Sequence, residues 1–287
     1  MKQLAVISYK GGTGKTAITV AFASLADNFV LADCDVNAPD LHLFLKADIK
    51  KTVGFHDLKI ASVDDEKCDD CKKCINFCRF NAIDEKINII PKSCEGCSIC
   101  EYVCPVDAIK MIDRDSSLIY ASETHFGPIS HARFNPGEKI SGKLVTAVKE
   151  NAKTIAEEKR KNLVIIDGPS GISYPAFSTI IDVDLVLIVT EPSLSAVLDL
   201  ERMIGITNHF KIPAVVCINK YDLNIQITEG IEEYCKNHDI ELVGKLPFDT
   251  VMTEAMVKEK SIIEFSDGEL SNRIIEMWNA TVEKLLI

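Results

Sequence analysis

No run of apolar residues in this 287-residue chain reaches the ~18 needed to cross a bilayer, so no membrane-spanning helix is expected. Positive charge is scarce as well. The 32 Lys and Arg stand against 43 Asp and Glu, the net charge is −11, and the longest basic stretch is EKRK at 158–161. A chain of that sign repels a phosphate backbone, which argues against DNA or RNA as the main partner. The opening segment, MKQLAVISYK, is too short in its apolar part for a secretory signal, so a cytoplasmic protein is expected. Disulfides are rare in that compartment, yet there are eleven cysteines, eight of them between residues 68 and 104. So tight a group in a reducing environment points to metal binding, whereas Cys34, Cys217 and Cys235 stand alone and read as packed small hydrophobes.

Outside the cysteine-rich region, short apolar runs alternate with helical patterns. Residues 4–7 (LAVI), 28–35 (NFVLADCD), 162–167 (NLVIID), 184–190 (DLVLIVT), 213–219 (PAVVCIN) and the ELVGKL segment read as strands. Helices are expected over about 15–27, 141–161, 195–208, 228–238 and 269–286. Strands apolar throughout and alternating with helices predict an α/β fold, a doubly wound and mostly parallel sheet covered on both faces. In such sheets ligands bind at the carboxyl ends of the strands, where the glycine loop after residue 8 and the aspartates at 33, 35 and 167 all fall. The terminal helix presents Ile274, Trp278, Val282 and Leu285 on one face, with Glu276 and Glu283 offsetting Arg273 and Lys284, so packing against the sheet is expected rather than membrane binding.

The stretch YKGGTGKT (9–16) carries the phosphate chemistry. Gly11, Gly12 and Gly14 let backbone N–H groups turn toward phosphate oxygens, and the following helix adds its positive end. Lys15 is placed for the β- and γ-phosphates and the Thr16 hydroxyl for Mg²⁺. The strict P-loop pattern wants glycine at position 9, where this chain has Tyr9. NKYD at 219–222 is also how GTPases read guanine, but their switch pattern asks for glycine at 170 and this chain has Ser170, so ATP is expected over GTP.

The cysteines form a repeat of period 26: CDDCKKCINFCRFNAI from Cys68 and CEGCSICEYVCPVDAI from Cys94. Each copy reads Cys-x2-Cys-x2-Cys-x3-Cys, the two-cluster bacterial ferredoxin run, in which the fourth cysteine ligates the other cluster. Cys68, Cys71, Cys74 and Cys104 are expected to hold one 4Fe–4S cluster, and Cys94, Cys97, Cys100 and Cys78 the second. Zinc sites prefer separated pairs of cysteines instead. Pro105 follows Cys104 as the pattern asks; Arg79 follows Cys78, losing a turn-setting proline but no ligand, and its charge would raise that cluster's potential. The expected organisation is a P-loop domain in two parts, 1–59 and 114–287, interrupted by a small α+β ferredoxin-type domain at 60–113. The Gly/Pro-punctuated segment 124–144 contains His125 and His131, whose roles spacing does not define; it is a candidate connector between nucleotide state and the clusters.

KGGTGKT resembles the deviant P-loop of the MinD/ParA/Mrp superfamily, as do DCDVNAPDLH (33–42) its switch I, LVIIDGPSG (163–171) its Walker B strand and switch II, and VCINKYD (216–222) and LPFD (246–249) its base-binding segments. With the cysteine repeat, the chain is similar to MinD-type ATPases that carry an inserted ferredoxin domain. The resemblance implies an ATPase that pairs as a homodimer on ATP. Gly11, Gly12, Thr13, Gly14, Lys15, Thr16 and Ala17 would cradle the phosphates, with Asn219 and Pro247 toward the adenine and the role of Asp222 left open. Lys10 would reach across the dimer to the partner's phosphates, Asp35 would position or activate the attacking water, Asp167 would hold Mg²⁺ through a water, and Asp33 would support switch I. Two functions follow as expectations. One is nucleotide-gated electron transfer through two 4Fe–4S clusters to a partner metalloprotein or its maturation; the other is an Mrp-type carrier for cluster or metallocofactor assembly. Relatives of the second kind use a Cys-x-x-Cys late in the chain, which this sequence lacks.

Overall fold

A computed structural model describes the chain apart from residues 37–38, 56–57, 115–116 and 135–141. The first half of the chain gives β1 (Lys2–Ser8), α1 (Lys15–Leu25), β2 (Phe29–Asp33), the short α2 (Leu41–Phe44), β3 (Asp48–Phe55), β4 (Leu58–Val63), the single turns α3 (Lys73–Phe77) and α4 (Ile99–Tyr102), β5 (Ile109–Arg114), β6 (Ser117–Glu123) and β7 (Pro128–Phe134). The second half alternates: α5 (Gly142–Glu158), β8 (Leu163–Ser170), α6 (Tyr174–Ile180), β9 (Leu185–Thr190), α7 (Ala196–His209), β10 (Ala214–Asn219), α8 (Ile225–Asn237), β11 (Glu241–Leu246), α9 (Thr250–Val257), α10 (Ile262–Phe265) and α11 (Glu269–Leu286).

Among the described residues, nine strands form one sheet in the order β11-β10-β9-β1-β8-β2-β7-β6-β3. From β11 to β7 neighbouring strands pair parallel, as fully apolar strands with helical crossovers require. β6, β7 and β3 extend the sheet beyond what the apolar runs announce. The β6–β7 link is a four-residue turn closed by Thr124 N–H on Gly127 O at 2.9 Å, too short for a crossover and so a hairpin. The core holds Leu4, Val6, Leu31 and Ile165 from the strands and Phe22 from α1, all essentially without exposure. On the other side of Phe22 sits Trp278 of α11, ring centroids 4.8 Å apart, and Ile274 and Leu285 are buried on the same face of that helix. The terminal helix therefore packs on the sheet, as its apolar stripe predicts.

The chain divides into two compact units, one comprising Met1–Thr52, Ile119–Arg133 and Ile140–Ile287, the other built on Val53–Leu118. The second is a two-stranded antiparallel sheet, β4–β5, with α3 and α4 and an apolar core of Ala61, Ile83, Ile87 and Ile109. Its backbone repeats with the 26-residue period of the sequence. Left-handed residues Asp70, Lys72 and Asn81 recur as Gly96, Ser98 and Asp107. Val63 pairs with Ile109 as Ile89 pairs with Ile83, the start of each copy against the end of the other.

The copies differ at Asp70 and Gly96 for a steric reason. Asp70 tolerates its φ of 55°, but a Cβ on Gly96, at φ +65°, would lie 2.5 Å from the Lys59 carbonyl oxygen. Backbone cannot yield as a side-chain tip can. Gly96→Ala is expected to destabilise this unit by about 1–3 kcal/mol, while Asp70→Gly stays within about 1 kcal/mol of the parent. Thermal unfolding followed in the two variants checks this; equal midpoints would mean that the Lys59 approach is not a constraint.

Candidate functional site

The carboxyl ends of β1, β8 and β2 adjoin, with Asp167 opposite Val6 on one side and Asp33 on the other. β1 runs into the loop Tyr9–Gly14, whose last residue needs to be glycine twice over. Gly14 has φ +91°, and a Cβ there would stand 2.4 Å from the Asn219 side-chain nitrogen. Asn219, at the end of β10, donates from Nδ2 to the Thr13 carbonyl at 2.7 Å, and Lys220 donates to the Gly12 carbonyl at 2.8 Å and Glu191 at 2.9 Å. The end of β10 thus clamps the glycine loop open as a cradle in front of the α1 N-terminus, the geometry that binds anions.

Lys15, Thr16, Asp33, Asp35 and Asp167 come together behind that cradle. Lys15 Nζ donates to Asp167 Oδ1 at 2.9 Å and stands 3.4 Å from Asp35. Thr16 and Thr19 both donate to Asp167, at 2.9 and 3.0 Å. Burial opposes the charge on Lys15, but Asp167 and Asp35 more than offset it and its pKa is raised. Burial, then the neighbouring Asp167 charge, drives the Asp33 pKa far up, and burial raises that of Asp35 against the pull of Lys15. Both carboxylate oxygens of Asp33 are buried with no hydrogen-bond partner among the described residues. Three carboxyls face one ammonium, so the pocket is short of positive charge. Its donor set is oxygen throughout, which suits Mg²⁺ brought with a nucleotide's phosphates.

Lys10, Gly11–Ala17, Asp35, Asp40 and Ser170 line the phosphate end of this cleft. Asn219 and Pro247 line the adjoining recess. That recess also has apolar walls, Phe248, Met252, Met256 and Leu270, that the motifs do not mark; the i, i+4 methionines on the helix after LPFD are the signal that would find two of them. Asp222 is engaged by its own chain, accepting the Phe248 N–H at 2.6 Å, and so fixes the recess wall.

Lys10 lies on its own chain. Its ammonium donates to Ser195 at 2.6 Å and Ser193 at 2.9 Å and sits 3.4 Å from the nearly buried Asp199, a set the sequence reading missed. Tyr9, in place of the usual glycine, accepts from Arg202 at 2.8 Å and turns away from the cradle. His125 is half exposed, 3.7 Å from Glu264. His131 is buried between Tyr120 and His42, stacked on the latter at 4.5 Å, and its Nε2 meets Ser122 Oγ at 2.9 Å. Cys34, Cys217 and Cys235 are buried, and burial raises each thiol.

In the cysteine unit, Cys78, Cys94, Cys97 and Cys100 line one cavity, walled by Phe80 and Ile83. Cys68, Cys74, Cys78, Cys94, Cys100 and Cys104 belong to or pack on the unit's apolar core, and Cys71 and Cys97 reach the surface. Among the described residues no three potential ligands are placed to hold a metal ion together; Cys78, Cys94, Cys97 and Cys100 line the same cavity. The Ala82 N–H donates to Cys78 Sγ at 3.3 Å and the Ala108 N–H to Cys104 Sγ at 3.2 Å. The turn after Cys78 therefore keeps its form with Arg79 in the proline position. Burial raises the Cys74 thiol and pushes that of Cys100 up to about 11, so these sulfurs become thiolates only when a cation draws off the proton.

The cradle at the edge of a parallel α/β sheet defines a P-loop nucleotide-binding protein. The chain belongs to the family described as "CobQ/CobB/MinD/ParA nucleotide binding domain", whose profile matches residues 4–262. It is 35% identical over 285 residues to an uncharacterised protein of Methanocaldococcus jannaschii, covering 98% of this chain and 96% of that one. Its fold is similar to that of the septum site-determining protein MinD of Pyrococcus horikoshii, solved with Mg-ADP (TM-score 0.62, 16% identity, 99% of this chain and 97% of that one). A local likeness, 49% identical over 49 residues, 17% of this chain and 60% of the other, is to pyruvate synthase subunit PorD of Methanothermobacter marburgensis. No helix among the described residues is long and apolar enough to cross a membrane.

The buried histidine carries a pH prediction. Burial, then the adjacent His42, lowers the His131 pKa to about 3. The unfolded chain, with a value near ~6.5, binds the proton first, so stability is full above that pH and falls between about 6.5 and 3 by up to ~1.4 kcal/mol per pH unit. His131→Phe keeps the stack and removes the titration. Denaturant unfolding at pH 7.5 and 5 is expected to show a shallower loss in the variant, and equal losses would place the proton elsewhere.

Proposed function

We propose that the protein is a Mg²⁺-dependent ATPase that couples ATP-driven pairing of two copies to electron transfer through two 4Fe–4S clusters, toward a partner metalloprotein or its maturation. The observation that carries this reading is the crossed cysteine set: Cys78 from the first repeat shares a cavity with Cys94, Cys97 and Cys100 of the second. Such crossing is what a two-cluster ferredoxin module needs and what paired zinc sites do not. By the same symmetry, Cys68, Cys71, Cys74 and Cys104 would hold the other cluster. The local likeness to PorD agrees with an inserted module at 60–113 between P-loop segments 1–59 and 114–287. A bound cluster would supply one-electron chemistry. The amide donors on Cys78 and Cys104 and the charge of Arg79 favour its reduced form.

At the nucleotide, Lys15 exchanges Asp167 for the β- and γ-phosphates, Thr16 and Asp167 hold the Mg²⁺ shell, and Asp35 orients the water. Gly11–Ala17 donate backbone N–H groups, and Asn219 and Pro247 border the adenine. Lys10 leaves Ser193, Ser195 and Asp199 to reach the second copy's phosphates. A cluster-assembly carrier that bridges two copies through exposed late cysteines is disfavoured, since Cys217 and Cys235 are both buried.

Anaerobic protein supplied with iron and sulfide tests the coupling. About eight irons per chain are expected, about four after Cys78→Ser with Cys97→Ser, which strips two ligands from one cluster, and Mg-ATP is expected to shift the reduction potential or the rate of transfer to an acceptor. No effect of ATP on either, with intact clusters passing to an apo-protein, would sink the electron-transfer reading. The two lysines are expected to separate. Lys15→Ala weakens nucleotide binding about 10-fold or more, whereas Lys10→Ala binds but loses ATP-driven dimerisation and hydrolysis by about 10²-fold or more. Normal hydrolysis in the Lys10 variant excludes the cross-dimer role.

A further inference from the structure

The stack His42–His131–Tyr120 belongs neither to the nucleotide cradle nor to the cysteine ligands. His42 lies in α2, two residues after Asp40, which lines the phosphate end of the cleft with Asp35. Its ring is stacked on His131 of β7 at 4.5 Å and 11°, and His131 in turn on Tyr120 of β6 at 5.1 Å and 25°. His131 is also bonded to Ser122 of β6. The stack thus joins the loop that flanks the phosphates to both strands of one hairpin.

A second tie reaches the same hairpin from the other phosphate-lining loop. Ser170 lines the cleft and leads into α6. The buried Lys149 of α5 donates to the carbonyls of Ser178, Thr179 and Ile181 at the end of α6, at 3.1, 2.9 and 2.5 Å. Two residues along α5, Asn151 donates to Ser130 Oγ of β7 at 2.8 Å and to the Tyr120 carbonyl of β6 at 3.4 Å. In the chain, β6 follows β5 of the cysteine unit after only residues 115 and 116.

The stack is not held by saturated hydrogen bonding. Nδ1 of His42 and Nδ1 of His131 are both buried without a partner among the described residues. Buried polar atoms left unpaired are costly, and their presence here fits an element with a second arrangement in which they are satisfied.

We propose that the His42–His131–Tyr120 stack transmits the state of the nucleotide cleft to the β6–β7 hairpin, and back along β6 to β5, by which the chain leaves the cysteine repeat. His42 acts as a positioning residue. When the cation that accompanies a nucleotide's phosphates draws Asp35 and Asp40 inward, α2 shifts, the His42 ring slides on His131, and the hairpin to which His131 is bonded follows. This deepens the proposed coupling and rests on its nucleotide half, independent of the clusters.

Hydrogen exchange of the full chain, kept anaerobic, with and without Mg-ATP, tests it. Peptides covering 117–134 and 109–114 are expected to change exchange rate when nucleotide binds. His42→Ala, at a half-buried site, is expected to keep nucleotide affinity within about threefold while losing the exchange response by about fivefold or more; His42→Phe, which stacks without ring nitrogens, is expected to restore most of it. An unresponsive parent protein overturns the proposal, as does a His42→Ala protein that responds normally. So does loss of affinity in His42→Ala, which would make the residue part of the binding site, or failure of the folded His42→Phe protein to recover. Iron-free protein that still responds would separate this coupling from the electron-transfer reading, leaving the first standing without the second.

Discussion

Asp167 is the carboxylate on which the P-loop unit is organised. It is fully buried at the junction of β1, β8 and β2 and accepts from Lys15, Thr16 and Thr19. A buried carboxylate is stable only when paired, so those three residues of α1 are held against the sheet by electrostatics as well as by the apolar contacts of Phe22 and Ile18. Yet the pairing is incomplete. Asp33 beside it has no hydrogen-bond partner among the described residues, and Asp35 shares the same lysine. The pocket is consequently built for more positive charge than the chain supplies, and the chemistry that brings both the phosphates for Lys15 and the cation for the aspartates is a Mg-nucleotide. Stability and ligand choice here follow from one imbalance.

The cysteine unit rests on a different constraint, the internal two-fold of its sequence. Each copy is too small to bury an apolar face alone. Exchange of strand partners, Val63 with Ile109 and Ile83 with Ile89, lets the two copies close a single core. The same exchange carries Cys78 over to the cavity of Cys94, Cys97 and Cys100. The crossed placement of Cys78 is then a by-product of how the core is shared. Loss of the proline after Cys78 is tolerated because the turn is fixed by the Ala82 N–H on the cysteine sulfur, as its counterpart is by Ala108.

What the sequence discloses follows from how local each feature is. The glycine loop and the cysteine runs are contiguous and carry their spacing with them, so their residues could be named in advance. The parallel strands were legible because both faces are buried and the runs are apolar throughout. β3, β6 and β7 were not. β3 is exposed along nearly its whole length, and the β6–β7 hairpin mixes Ser, His and Arg with punctuating Gly and Pro, so it lacks the apolar signal of a central strand. Nor can spacing bring His42 to His131 or Lys10 to Asp199, since the intervening chain has to fold first. The walls Phe248 and Met252 of the recess were hidden for a milder reason: apolar residues after a strand read as core until a cleft is seen beside them.

The two lysines of the glycine loop differ in what holds them. Lys15 is nearly buried and its partners, Asp167 and Asp35, belong to the cleft itself, so a phosphate displaces it by only a short rearrangement within one charged network. Lys10 is substantially exposed, and its partners Ser193, Ser195 and Asp199 stand outside the cradle, at the start of α7. An ion pair between a buried aspartate and a half-exposed lysine is weak enough to be traded for a phosphate yet strong enough to define a resting place. One lysine is therefore held by carboxylates of the cleft, the other by residues at the start of α7. The same loop thus ties its two lysines to different partners, Lys15 to Asp167 and Asp35, Lys10 to Asp199 and two serines.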